Sequence, residues 1–292
     1  MHAVASRESS RARALAPTGP VYDDYDALLA DPDVDAVYVS LTNEVHARWS
    51  IAAQSAGKHV LCEKPLAMTA AEVDAMTAAA ASSDRLLVEA SWYRWHPRVR
   101  LASRLLREGA IGAVRHVAAG FTFDGRLDGN YRLDPSRGGG ALYDVGCYAV
   151  SAVLWAFGGA PVREVAARQR LGPSGVDLAT EAVLSFDVGD AEIRVGISEP
   201  PKQWLVVTGD GGEIELPGAA YTSWVDDETE LLVSDGTGTR RIAVPATDAY
   251  RVMVEEMSSV ISGGEGWLLP LPESRATAAV LDACFAAAQN SG

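Results

Sequence analysis

Between residues 2 and 90 the sequence keeps returning to one pattern: a short apolar run, a helical stretch, then another apolar run. Residues 2–6, 36–41, 59–62 and 86–90 read as strands, and residues 7–16, 22–30, the stretch from Thr42-Asn43 to Gly57, and 69–83 read as helices. Short apolar strands that alternate with helices predict a parallel sheet covered on both faces. After about residue 118 the texture changes. Runs at 114–123, 162–170, 180–186, 192–197, 204–208 and 213–216 are joined by tight Gly- or Asp-containing turns and predict an antiparallel sheet. A helix over 141–157 interrupts it early, and helices over 250–262 and 273–288 close the chain. A length of 292 residues accommodates two cores. The expected domains are therefore 1–118 and 119–292, with the last helices returning to the first.

Charge and composition remove several classes of function. With 25 Lys plus Arg against 39 Asp plus Glu, the net charge of −14 repels a phosphate backbone, and no local basic stripe offsets it. Nucleic acid is not an expected partner. The longest nearly apolar stretch, residues 149–160, contains Ser151 and falls well short of the roughly 20 residues a membrane span needs, so a soluble chain without a membrane partner is expected. Cys62, Cys147 and Cys284 lie far apart, and the five histidines show no ligand spacing. Neither a disulfide framework nor a metal site is expected, and a reducing cytoplasm suits the chain. Arg7, Arg11 and Arg13 among Ser6, Ser9 and Ser10 leave an organellar transit peptide as a competing reading of the first residues.

Three clusters could carry chemistry. Glu63-Lys64-Pro65 follows an apolar strand, where open α/β sheets bind ligands, and Pro65 restricts the direction of Lys64. A surface Glu and Lys leaving a strand is the plain alternative. Gly138-Gly139-Gly140 opens a helix on which Asp144 and Tyr148 stand four apart. Ala141, Val145, Tyr148, Ala152 and Trp155 also follow core spacing, so Tyr148 reads equally as a packed aromatic. Residues 89–97, with Trp92, Tyr93, Arg94 and His96, could meet a cofactor or pack the seam between the two halves.

The order and spacing of these residues resemble the Gfo/Idh/MocA family of nicotinamide-dependent oxidoreductases. The resemblance runs from residue 2 to 290 and takes in Ala5-Ser6-Arg7, the 31–38 run, Asn43 with His46, Gly57-Lys58-His59-Val60 leading into Glu63-Lys64-Pro65, the glycine run with Asp144, and Phe157-Gly158-Gly159. It also accounts for residues 2–13 as a Rossmann strand and helix. Tyr148, where many members carry His, is similar to the branch containing dimeric dihydrodiol dehydrogenases, glucose-fructose oxidoreductase and some NADP-dependent xylose dehydrogenases. The resemblance implies a Rossmann-type domain followed by an α+β domain with an open-faced, mainly antiparallel sheet.

By the same resemblance Lys64, Asp144 and Tyr148 are the catalytic residues, and Ser6, Arg7, Asn43, His46, Glu63, Lys64 and Arg94 the cofactor contacts. Tyr148 would exchange the hydroxyl proton of a secondary alcohol or hemiacetal of a sugar or cyclic diol. Lys64 would supply the cation that stabilises a phenolate, and Asp144 would orient Lys64 or a substrate hydroxyl. An Arg at the end of the second Rossmann strand, with only Glu8 as a nearby acid, favours the 2′-phosphate of NADP over NAD. The loop 124–137, with Asn130, Tyr131 and Arg132, is expected to tune substrate choice. An open-faced sheet implies a homodimer or larger homo-oligomer.

One part of the family pattern has no counterpart. The Gly-x-Gly-x-x-Gly loop should precede the strand at His2, and the Gly-containing segments at 209–212 and 236–238 open no helix, so they read as turns. The expectation is an incomplete Rossmann sheet whose first strand-helix unit lies outside this sequence. A chain that has lost its grip on a cofactor and senses sugars or regulates a partner is the alternative function, and an NAD-dependent glycosidase a more distant one.

Overall fold

The computed structural model describes residues 1–125, 129–222 and 225–290. Its first third is β1 (Val4–Ala5), α1 (Ser9–Ala14), β2 (Val21–Tyr22), α2 (Tyr25–Leu29), β3 (Ala36–Val39), α3 (His46–Ser55), β4 (His59–Cys62), α4 (Ala70–Ser83) and β5 (Leu87–Glu89). All strand pairing here is parallel, as the alternation of apolar runs and helices requires. The strands fall into two sheets, β1-β2 and β3-β4-β5. Among the described residues nothing pairs β1 with β3, so the parallel sheet is split where a doubly wound sheet would be continuous.

Local chemistry sets the element ends. The Thr69 hydroxyl accepts the Glu72 amide while the Glu72 carboxylate accepts the Thr69 amide, so α4 begins on a reciprocal capping box. Asp84 ends it in the left-handed region at φ 54°. Pro97 opens α5 (Pro97–Arg107) after His96, whose Nδ1 accepts the Arg98 amide.

The second part is one eight-stranded sheet. Its strands are β6 (Val114–Asp124), β7 (Glu164–Leu171), β8 (Asp177–Ser185), β9 (Asp190–Gly196), β10 (Ser198–Gly209), β11 (Gly212–Glu215), β12 (Thr229–Asp235) and β13 (Gly238–Val244), in the order β13-β12-β11-β10-β6-β9-β8-β7. Only β6 and β9 run parallel. One face packs on α6 (Cys147–Ala156), whose residues are all buried. The helices α7 (Ala249–Ile261) and α8 (Leu271–Asn290) close the chain, and α8 returns to the first part. There Asp282 accepts the Ala70 amide at 2.9 Å and Arg275 pairs with Asp74 at 2.7 Å.

Three details depart from the sequence reading. Tyr22 belongs to a two-residue strand, not to a helix, because β1 offers it a parallel partner. The division at 118/119 falls inside β6, whose register with β9 and β10 is continuous through Val117, Ala118 and Ala119. The helix expected from 141 begins as a π-turn over Leu142–Gly146 before α6. Of the loop 124–137, residues 126–128 lie outside the described residues.

Candidate active site

The end of β4 delivers Glu63 and Lys64, and the π-turn preceding α6 delivers Asp144 to meet them. Lys64 Nζ donates to the Asp144 backbone carbonyl at 2.7 Å and lies 3.5 Å from Asp144 Oδ1. The same ammonium sits 5.2 Å from the centroid of the Tyr148 ring. The expected catalytic trio therefore converges, across 80 residues of chain between Lys64 and Asp144. Glu63 accepts the Tyr38 hydroxyl through one carboxylate oxygen and the Lys64 amide, at 3.1 Å, through the other.

The glycine run positions the π-turn through close approaches to protein atoms. A Cβ on Gly138 would lie 2.7 Å from Asn43 Cβ, and one on Gly140 would lie 2.0 Å from Asp177 Oδ1, with Gly140 held at φ +109°. Asn43 Nδ2 donates to the Gly138 carbonyl at 2.8 Å. Asp177 Oδ2 accepts the Leu142 amide at 2.8 Å and the Thr180 hydroxyl at 2.7 Å, which caps the first free amides of the turn. Burial pushes the Asp177 carboxyl up to about 6, against these hydrogen bonds.

Tyr148 packs as its core spacing predicts. Its ring packs with Tyr93, Phe121 and Tyr221 at centroid separations of 5.6, 5.8 and 6.0 Å. Its hydroxyl accepts the Trp92 indole N–H at 3.1 Å. Burial raises the phenol pKa, and Lys64 pulls it back only in part. For Lys64 burial alone would lower the pKa, but Tyr148, Cys147, Asp144 and Glu63 outweigh it and the net change is upward. Lys64 is thus held toward its charged form and Tyr148 toward its protonated form.

Several expected cofactor contacts are engaged elsewhere. His46 is fully buried, and its ring nitrogens face the carbonyls of Pro65 at 2.9 Å and Leu41 at 3.0 Å. It holds the β3 and β4 loops together. Arg94 does not join the cluster: its guanidinium bonds Glu273 at 2.8 Å and lies over the rings of Trp155 and Trp267. A cation placed on that seam was indistinguishable in the sequence from one facing a ligand. Ser6 accepts the Glu8 amide at the end of β1, and the exposed Arg7 forms no ion pair among the described residues.

Arg132 was placed by the sequence in a selectivity loop; the structure puts it in the cluster, with Nε 2.6 Å from Asp144 Oδ2. Tyr250, at the start of α7, stacks on Trp92 with 4.7 Å between centroids. Neither Asp177 nor Tyr250 carries a local signal, since each acts on residues far away in the chain. Apart from this site, His2, Asp31 and Asp33 bring ligand-type atoms within 4.8 Å of one another, a grouping spacing does not reveal. Both carboxylate oxygens of Asp31 are spoken for, one accepting from the Tyr22 hydroxyl and the other from the Asp33 amide. Among the described residues no helix is long and apolar enough to cross a membrane.

Comparison with known proteins places the chain in a family. Residues 1–91 match the oxidoreductase family NAD-binding Rossmann fold, and residues 99–215 match the GFO/IDH/MocA C-terminal domain. A D-xylose 1-dehydrogenase (NADP(+)) from Haloferax volcanii is 36% identical over 296 residues, covering 98% of this chain and 89% of that protein. The chain belongs to the Gfo/Idh/MocA oxidoreductase family. An uncharacterized oxidoreductase from Rhizobium meliloti is also 36% identical, over 96% of this chain and 86% of its own length. Among solved structures, a 3-ketoreductase from Actinomadura kijaniata in complex with NADP and TDP-benzene superposes with a TM-score of 0.90 at 29% identity, covering 98% of this chain and 89% of that one. Solved variants of that ketoreductase replace a lysine and a tyrosine 84 residues apart, the separation of Lys64 and Tyr148 here.

Proposed function

We propose that this chain is an NADP-linked oxidoreductase that interconverts a secondary alcohol or hemiacetal of a sugar or cyclic diol with its carbonyl form. The observation that carries the reading is the Tyr148 phenol held beside the Lys64 ammonium, with Asp144 fixing the lysine. Among the described residues no acceptor takes the Tyr148 hydroxyl hydrogen, which leaves it for a ligand.

A bound nicotinamide would supply or accept the hydride. Every other role falls to side chains. Tyr148 donates its proton to the carbonyl oxygen during reduction and recovers it during oxidation. Lys64, permanently charged, stabilises negative charge on that oxygen and on the phenolate left behind. Asp144 holds Lys64 through its carbonyl and carboxylate, and Arg132 holds Asp144. Positioning of this kind matters as much as acidity.

The residues fit NADP at its two ends. Glu63 and Lys64 stand at the carboxyl end of β4 for the nicotinamide side, and the exposed Arg7, without an ion pair among the described residues, suits a 2′-phosphate just past the end of β1. The relative named as an NADP(+) dehydrogenase and the NADP complex of the ketoreductase support the same choice. Asn43 and His46 act as loop supports rather than contacts.

The outer face of the eight-stranded sheet, where Val183 is exposed and Arg168, Glu181, Arg194 and Glu199 pair across strands, suits a second copy of the chain. Its three thiols, free and buried, suit a cytoplasmic setting.

NADPH fluorescence titration tests the cofactor assignment. Saturable binding, weakened about tenfold or more in Arg7→Ala while NADH binding is unchanged, is the expected result. Absence of binding to either nucleotide overturns the reading.

A further inference from the structure

We infer that the Trp92 indole sets the direction of the Tyr148 proton and stabilises the phenolate that forms when it leaves, making Trp92 a positioning residue of the reaction. The inference rests on the oxidoreductase reading for its use, but the contact itself stands on geometry. Trp92 Nε1 lies 3.1 Å from the Tyr148 hydroxyl oxygen. An indole N–H can only donate. The Tyr148 oxygen must therefore accept from Trp92, and its own hydrogen is turned away from the indole. A hydroxyl free to rotate could have spent that hydrogen on a protein acceptor; here it is kept for the ligand.

The indole is well held. It is 7% exposed, and Tyr250 stacks on it at 4.7 Å with 19° between the ring planes. Trp92 comes from the short 3-10 turn Trp92–Trp95 after β5, Tyr250 from the first turn of α7, and Tyr148 from α6. Three elements thus meet at one N–H. Whatever negative charge reaches the Tyr148 oxygen gains a second stabilising partner beside Lys64, and hydrogen bonds to charged oxygens are stronger than those to neutral ones.

The titratable and charged groups around the Tyr148 phenol are Lys64, Glu63, Cys147, Tyr250 and Arg132, with the phenols of Tyr93 and Tyr221 packed on its ring. All of them are still present when Trp92 is replaced by Phe, which keeps the stacking ring and removes the N–H. In Trp92→Phe the pH profile of substrate oxidation is expected to move to higher pH by about one to two units, with the Kd for NADPH unchanged. A merely structural role would lower the melting temperature and leave the profile in place.

A second measurement does not depend on turnover. The chain has seven tryptophans. In a ¹H–¹⁵N spectrum the indole signal missing from Trp92→Phe identifies Trp92. That signal is expected to shift upfield in its proton dimension in Tyr148→Phe, where the acceptor oxygen is gone, and to shift less in Tyr250→Phe. An unmoved signal in Tyr148→Phe, or a shift seen only in Tyr250→Phe, overturns the inference whether or not the chain is active. An unmoved pH profile in an active Trp92→Phe protein does the same. Failure of the oxidoreductase reading shows instead as wild-type protein without NADP-coupled turnover.

Discussion

Arg132 Nε lies 2.6 Å from one oxygen of Asp144, while the other oxygen faces Lys64 at 3.5 Å. One nearly buried carboxylate thus links the loop arginine to Lys64. Arg132→Ala leaves that oxygen without its donor, at a cost of about 1–3 kcal/mol in stability. It also lets Asp144 draw Lys64 away from Tyr148, lowering kcat about tenfold or more. Chemical denaturation and steady-state rates check both effects. Adding Asp144→Asn is expected to lower the stability further, because the buried Lys64 ammonium then loses its carboxylate partner.

The upward shift of the Tyr148 phenol fixes the sign of the pH dependence. Reduction uses the protonated phenol, the dominant form at neutral pH, so its rate should be flat from about pH 6 to 8. Oxidation needs the deprotonated form and should rise about tenfold per pH unit over the same range. Initial rates in both directions, at saturating cofactor, check this.

Asp177 makes a separate prediction. Its carboxyl is 2% exposed and is pushed up from 3.8 to about 6, chiefly by burial. Because the folded-state value is raised, the contribution to stability is fully present below the unfolded value near 4 and is lost as pH rises through 6. Asp177→Asn removes this titration without changing shape. The stability of the wild type relative to the variant should therefore fall by about 3 kcal/mol between pH 4 and 7, read by urea denaturation at each pH.

Arg94 is bound to Glu273 at 2.8 Å and packed between Trp155 and Trp267. Arg94→Ala should cost about 1–3 kcal/mol through lost packing and an unpaired acid. It should leave the Kd for NADPH within about twofold of wild type. A large loss of NADPH affinity without loss of stability would return Arg94 to the cofactor site.

What the sequence disclosed follows from how local the cause was. β4 and β5 lie in apolar runs that their own composition specifies, and α4 carries its cap in Thr69 and Glu72. Lys64, Asp144 and Tyr148 were identifiable as a set only through family resemblance, since nothing in their spacing brings β4 to α6. β2 was hidden because two residues hold no periodicity. The π-turn was hidden because its cause, Asp177, lies 35 residues downstream of the amide it caps. Arg94 and Arg132 show the same limit in opposite directions: each is a basic residue near a motif, and only tertiary packing decides which one meets Glu273 and which one meets Asp144.

The central claim is that Tyr148 supplies the proton in a reaction driven by a nicotinamide. The most direct measurement compares single-turnover NADPH oxidation by wild type and Tyr148→Phe with a sugar-derived or cyclic carbonyl substrate. The account predicts a loss of about 10²-fold or more in the variant, with NADPH affinity unchanged. Equal rates in the two proteins would contradict it.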